Sequence, residues 1–141
     1  MRNLFLAIAA LALLPSLALA GGGSKANATI AVHSNGTLQT GQVIGVIVDP
    51  PASLDPNTAT QAQFTAAGGK FITGASANET LTFKNLKAGT HTVVAFAATT
   101  TGSTTTIGTV TSQSVTLSKG QTLNLYVSAD ASNTTTLTLT P

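Results

Sequence analysis

The sequence has no cysteine, no tryptophan, one tyrosine and one methionine, and only 7% of its positions are charged. Each scarcity removes a class of answer. Without cysteine there is no disulfide, no thiolate zinc site and no N-terminal cysteine to carry a lipid, so stability must come from packing and strand pairing alone. With Tyr126 the only tyrosine, the broad exposed aromatic platform that usually receives sugars is missing. From Gly21 onward there is no arginine, and five lysines (Lys25, Lys70, Lys84, Lys87, Lys119) stand against four acids (Asp49, Asp55, Glu79, Asp130), a formal charge of +1. The lysines are scattered and no aromatic residues interleave with them, so a nucleic-acid partner has no electrostatic footprint.

Catalytic and metal chemistry are equally thin. His33 flanks the Asn35-Gly36 pair and reads as a solvent-edge residue, and His91 reads as an ordinary sheet-surface residue. Asp49, Asp55 and Asn57 are the one spacing suited to Ca²⁺, but they lack the dense oxygen ladder of a dedicated loop. There is no Gly-x-Ser-x-Gly elbow and no Ser-x-x-Lys pair. Gly21-Gly22-Gly23-Ser24-Lys25 lacks the spacing and the preceding strand of a phosphate loop. The expectation is a protein with no catalytic residues, no cofactor and no metal.

The N-terminus gives an expected compartment. Arg2 precedes an apolar run over Leu4–Leu14, Pro15 and Ser16 interrupt it, and Ala18-Leu19-Ala20 is a small-x-small cleavage site. The run is short against the roughly 20 residues of a membrane span. Residues 1–20 are therefore expected to be a cleaved signal peptide, 21–25 a flexible leader, and 21–141 one domain. The expected location is secreted, extracellular or cell-surface, with the periplasm as the alternative and no integral membrane segment in the mature form.

What is abundant is threonine: 26 residues, all after position 28, several times the usual share. Its branched Cβ fits a pleated strand and its hydroxyl faces water. Ala28, Ile30 and Val32 alternate with Thr29 and Ala31 as a first strand. Asn35-Gly36 predicts a tight type I′ turn with the chain returning from Thr37. Val43–Val48 is apolar on both faces and predicts a central strand, ended by Asp49-Pro50-Pro51. Residues 50–69 are irregular, with a weak helical turn near Thr58–Phe64, and Phe71-Ile72 is a short strand or a core plug. Thr80–Phe83 and Thr90–Ala98 form a strand-turn-strand. Thr99–Thr106 reads as a polar loop around Gly102, and Ile107–Val110 as a short strand. Gln113–Ser118 points Val115 and Leu117 inward. Gln121–Ser128 points Leu123, Leu125 and Val127 to one face, and Leu137 and Leu139 alternate with threonine near the C-terminus. The fold class is all-β: a single antiparallel β-sandwich of about 7–9 short strands, with an up-and-down barrel as the alternative.

Leu81-Thr82-Phe83-Lys84-Asn85-Leu86-Lys87-Ala88-Gly89-Thr90-His91-Thr92-Val93 resembles the T-F-x-N-L-x-A-G-T-Y-T-V segment of carboxypeptidase-regulatory-like, transthyretin-like sandwiches. Ser114-Val115-Thr116-Leu117-Ser118-Lys119-Gly120-Gln121-Thr122-Leu123 is similar to the V-T-V-x-x-G-Q-T segment that often follows. Together they cover about 25 residues, with His91 where such families usually carry tyrosine. The resemblance implies an accessory, adhesive or structural module, not a catalyst.

Asn27, Asn35, Asn78 and Asn133 each open an Asn-x-Ser/Thr sequon and are candidate glycosylation acceptors; this threonine content produces about two such sequons by chance. The termini carry the sharpest expectation. Both are alternating, charge-poor strands, and such strands add to a neighbour's open sheet edge. The candidate strand-addition positions are Ile30 and Val32 at one end and Leu137 and Leu139 at the other. The function expected is a non-catalytic structural or adhesive surface protein that self-associates, with pilus-like filaments as one form of assembly. The alternative is a monomeric binding module for carbohydrate or peptide.

Overall fold

Alternating apolar and hydroxyl side chains build two packed sheets. The computed structural model describes residues 27–75 and 78–139; the expected signal peptide and leader lie outside them. Among the described residues the strands are β1 (Ala28–Ser34), β2 (Gln42–Val48), β3 (Lys70–Ile72), β4 (Thr80–Leu86), β5 (Gly89–Thr101), β6 (Thr104–Ile107), β7 (Thr111–Leu117), β8 (Thr122–Ala129) and β9 (Thr135–Leu139), with one helix, α1 (Gln61–Ala66), between β2 and β3. Sheet one has the order β4-β1-β8-β9; sheet two runs β3-β2-β5, with β6 and then β7 pairing successive parts of β5. The all-β sandwich expected from the sequence is the fold observed. Its pairing is antiparallel except between β1 and β8, which run parallel.

The core between the sheets follows the period-two pattern. Ile30 and Val32 of β1, Ile44 and Val46 of β2, Val93, Ala95 and Ala97 of β5, and Leu125 and Val127 of β8 are all fully buried. β2 and β5 are apolar on their other face as well, and the reason lies in the 49–69 excursion. Phe64 of α1 packs over that outer face against Ile47, Val94 and Phe96. Thr60 caps α1: its hydroxyl accepts from Gln63 N while the Gln63 side chain accepts from Thr60 N, a reciprocal capping box. The two-faced strand read over 43–48 is therefore covered on both sides, by a sheet and by a lid.

Several local readings are corrected. Asn35-Gly36 does not fold β1 back on its successor. β1 pairs with β4 and β8, and residues 35–41 carry the chain across to the other sheet. Only Gly36 of the pair has positive φ (97°), whereas a type I′ turn requires it of both. The 80–98 strand-turn-strand likewise switches sheets: β4 lies in one and β5 in the other, joined by Lys87-Ala88 and by Gly89, whose φ of 136° favours glycine. Thr99–Thr106 is not a loop. It is the tip of the β5–β6 hairpin, with Thr101 opposite Thr104 and Gly102-Ser103 as the turn. The strand expected over 107–110 ends at Ile107.

Candidate functional site

The two lateral sides of the sandwich differ in chemistry. On one side, the edges β3 and β4 are guarded. Lys70 Nζ donates to the Thr82 carbonyl (2.5 Å) and lies 5.2 Å from the Phe83 ring centroid. Lys84 is exposed on β4, and the β1–β4 register shifts between Ala28 and Ile30, beside Asn85 with φ of 62°. The Glu79 carboxylate accepts from the backbone N–H groups of Thr73 (2.7 Å) and Ala75 (2.8 Å), occupying donors that follow β3. Charges, a bulge and short strands are the usual means of keeping an edge from pairing.

On the other side β7 and β9 run close together at the edges of their sheets, and neither carries a charge. No Asp, Glu, Lys or Arg occurs between Ala88 and Ser118, nor from Ala131 onward. Among the described residues β9 pairs only with β8. Its first residue is tied to the facing sheet: Thr111 Oγ1 donates to the Thr135 carbonyl (3.0 Å) and Thr135 Oγ1 to the Thr109 carbonyl (2.9 Å). Beyond that, Leu137 is half-buried and Leu139, at 39%, is an exposed large apolar side chain.

The predicted strand-addition residues thus separate. Ile30 and Val32 sit on an interior strand with neighbours on both edges, so the domain itself completes β1. Leu137 and Leu139 sit on a strand that, among the described residues, has a neighbour on one edge only. The sequons separate too. Asn27, Asn35 and Asn78 are exposed. Asn133 is 5% exposed, and its Oδ1 accepts from Gln42 Nε2 and from the Thr99 hydroxyl, both at 2.8 Å. The folded domain has no room for a glycan there.

The histidines are not idle surface residues. His33 stands on the outer face of sheet one and stacks on Tyr126 with centroids 5.1 Å apart. Its Nε2 donates to Asn124 Oδ1 (3.0 Å), and its Nδ1 meets the Thr80 hydroxyl (2.9 Å). The parallel β1–β8 register places His33 opposite Tyr126, a pairing of residues 93 positions apart that no local pattern reveals.

His91 Nδ1 meets Asp49 Oδ2 (2.5 Å), and its Nε2 meets the Lys87 carbonyl (2.8 Å). Both ring nitrogens face acceptors, so only the imidazolium satisfies both. Partial burial pushes its pKa down; the Asp49 hydrogen bond, the Lys87 carbonyl and the Asp49 charge outweigh that, leaving it raised above 6.5. A raised folded-state pKa gives stability that is full below the unfolded value and lost as pH rises through the folded value. Stability should therefore fall as pH climbs above 6.5 through the raised folded-state value, and His91→Gln should flatten that slope. Thermal melts of both proteins at stepped pH check it; parallel profiles would refute it.

Asp49 and Asp55 face different partners. Asp49 binds His91 and accepts from Thr92 N (2.9 Å), whereas Asp55 accepts from Asn57 N (2.9 Å), whose hydrogen bond lowers its pKa. Among the described residues no group of three His, Cys, Asp or Glu side chains is placed to hold a metal ion, and no helix is long and apolar enough to cross a membrane.

A cavity of about 390 Å³ opens on the outer face of sheet two, between the 57–64 segment and strands β2, β3, β5 and β6. Sequence reasoning missed it because its walls come from five separate segments; the one available signal was the apolar outer face of β2 and β5, which needed a cover. Comparison with models of known families, with curated proteins and with solved structures gives no match for this chain.

Proposed function

We propose that this chain is a non-catalytic structural subunit of a secreted or cell-surface assembly, joining a second copy of itself through the outer edge of β9. The resemblance of residues 81–93 and 114–123 to carboxypeptidase-regulatory-like sandwiches agrees with a module of that kind. The observation that carries the reading is the chemical asymmetry of the two sides among the described residues: Lys70, Lys84 and a bulge guard one, and β9 itself carries no charge. Two-sided stickiness builds open filaments, whereas a single self-complementary side closes into a pair. Edge pairing here therefore favours a two-fold pair, and a filament needs a further contact. Strand addition forms backbone hydrogen bonds, which hydrogen exchange reads directly. Amides within Thr136–Leu139 should gain protection as protein concentration rises, while those of β4 stay unchanged. Concentration-independent exchange at β9 would refute the reading.

A further inference from the structure

The cavity on sheet two is a second feature, separate from the β9 edge. From its geometry we infer that it is a binding site for an uncharged sugar unit, a mono- or disaccharide portion of a neutral glycan. Its volume of about 390 Å³ lies within the roughly 300–1,000 Å³ span of small-molecule sites. The floor is apolar: Val43, Phe96, Ile107 and the partly buried Phe71. Phe71 stays in place because it packs with its centroid 5.1 Å from that of Phe64 and 6.4 Å from that of Phe96. Gly45 of β2 makes room for those rings, since a Cβ there would stand 2.6 Å from Phe96 and 3.2 Å from Phe71.

The rim is of a different kind. Asn57, Gln61, Thr73, Thr100 and Thr105 supply amides and hydroxyls, and no lining residue is ionisable. Gln61 makes no side-chain hydrogen bond among the described residues. The Thr100 and Thr105 hydroxyls share one bond (3.1 Å), which leaves each with unused capacity. An anionic ligand would find no counter-charge and would lose its hydration, and the Asp55 and Glu79 carboxylates behind the rim are already bonded to Asn57 and Thr73. A purely apolar chain would strip water from the rim groups and return no hydrogen bonds. A pyranose satisfies both zones: its C–H face lies on an aromatic ring and its hydroxyls meet the rim. The lid that covers Ile47 and Val94 with Phe64 leaves this part of the sheet open, which gives the 49–69 excursion a role beyond covering apolar surface.

The test is an amide-shift titration of the ¹⁵N-labelled protein with the methyl glycosides of glucose, galactose, mannose and N-acetylglucosamine. The neutral dye N-phenyl-1-naphthylamine forms the apolar arm. At least one glycoside should shift amides of residues 57–64, 71–73 and 98–107 and leave β8 and β9 unmoved. Gln61→Ala and Thr100→Val, both at exposed positions, should each weaken that binding by about five- to tenfold with an unchanged melting temperature. Three results would overturn the assignment: no glycoside shifts these amides, the dye enters while every glycoside fails, or neither variant weakens binding. None of them bears on self-association, which is measured separately.

Discussion

Phe64→Ala should destabilise the domain by about 3–5 kcal/mol, the range for deleting a buried phenylalanine. Phe64 is 2% exposed although it sits on a six-residue helix outside both sheets. A helix that short has little stability of its own; the capping box starts it and the ring anchors it. Gly69 is fitted to the ring, because a Cβ there would stand 2.3 Å from it, and Gly69 N donates to the Phe64 carbonyl (2.9 Å). Without the ring, Ile47, Val94 and Phe96 lose their cover, while the core between the sheets keeps every member. Denaturant unfolding should show the lowered stability. Native-state hydrogen exchange should show residues 50–69 opening well before the sheets. A loss below about 1 kcal/mol would mean that the lid contributes little to the fold.

Asn133→Ala should lower stability by about 2–4 kcal/mol, combining unsatisfied buried polar groups with a backbone penalty. Asn133 has φ of 61°, a left-handed conformation asparagine tolerates better than alanine. Its Oδ1 takes hydrogen bonds from Gln42 of β2 and Thr99 of β5, so this one side chain fastens the β8–β9 turn to the opposite sheet. Asp130 shapes that turn by accepting from Ser132 N and Thr134 N, both at 2.8 Å. Gly108 packs against it so closely that a Cβ would lie 2.0 Å from the Asn133 carbonyl oxygen. Removing the amide leaves Gln42 Nε2 with only the Asp130 carbonyl (2.8 Å) and takes the acceptor from the Thr99 hydroxyl. Thermal and denaturant unfolding measure the loss; a near-neutral variant would mean that water replaces the amide. For the same reason, cutting the chain at Asn133 would confound any test of β9, since it removes the fastening together with the strand.

The strands were legible because their information is local. Val115 and Leu117, or Leu125 and Val127, alternate with polar residues, and burial follows the alternation. The two-faced apolar run of β2 announced a covered strand and, with it, the need for a lid. Pairing was not legible. Asn35-Gly36 is a strong hairpin signal, but a crossing between sheets also needs a flexible corner, and the local sequence does not distinguish the two. The threonines of 99–106 look like loop because none is buried, yet a solvent-facing hairpin tip needs no buried side chain. One partner each of His33 and Asn133, Asn124 and Gln42, lies 91 positions away, reached through a parallel pair and an inter-sheet contact. The difference between the two edges became visible only when the packing of the two sheets placed Lys70 beside Thr82 and left β9 outermost.

Thr136 and Thr138 are exposed on β9, so replacing both with lysine should change stability by no more than about 0.5 kcal/mol each while placing on this edge the charge that guards β4. Sedimentation velocity across a concentration series, on the unaltered protein and on Thr136→Lys/Thr138→Lys, tests the central claim most directly. The expected result is a concentration-dependent pair for the unaltered protein and a monomer throughout for the variant, at equal melting temperatures. A unaltered protein that stays monomeric, or a variant that pairs as well as its parent, would contradict assembly through β9.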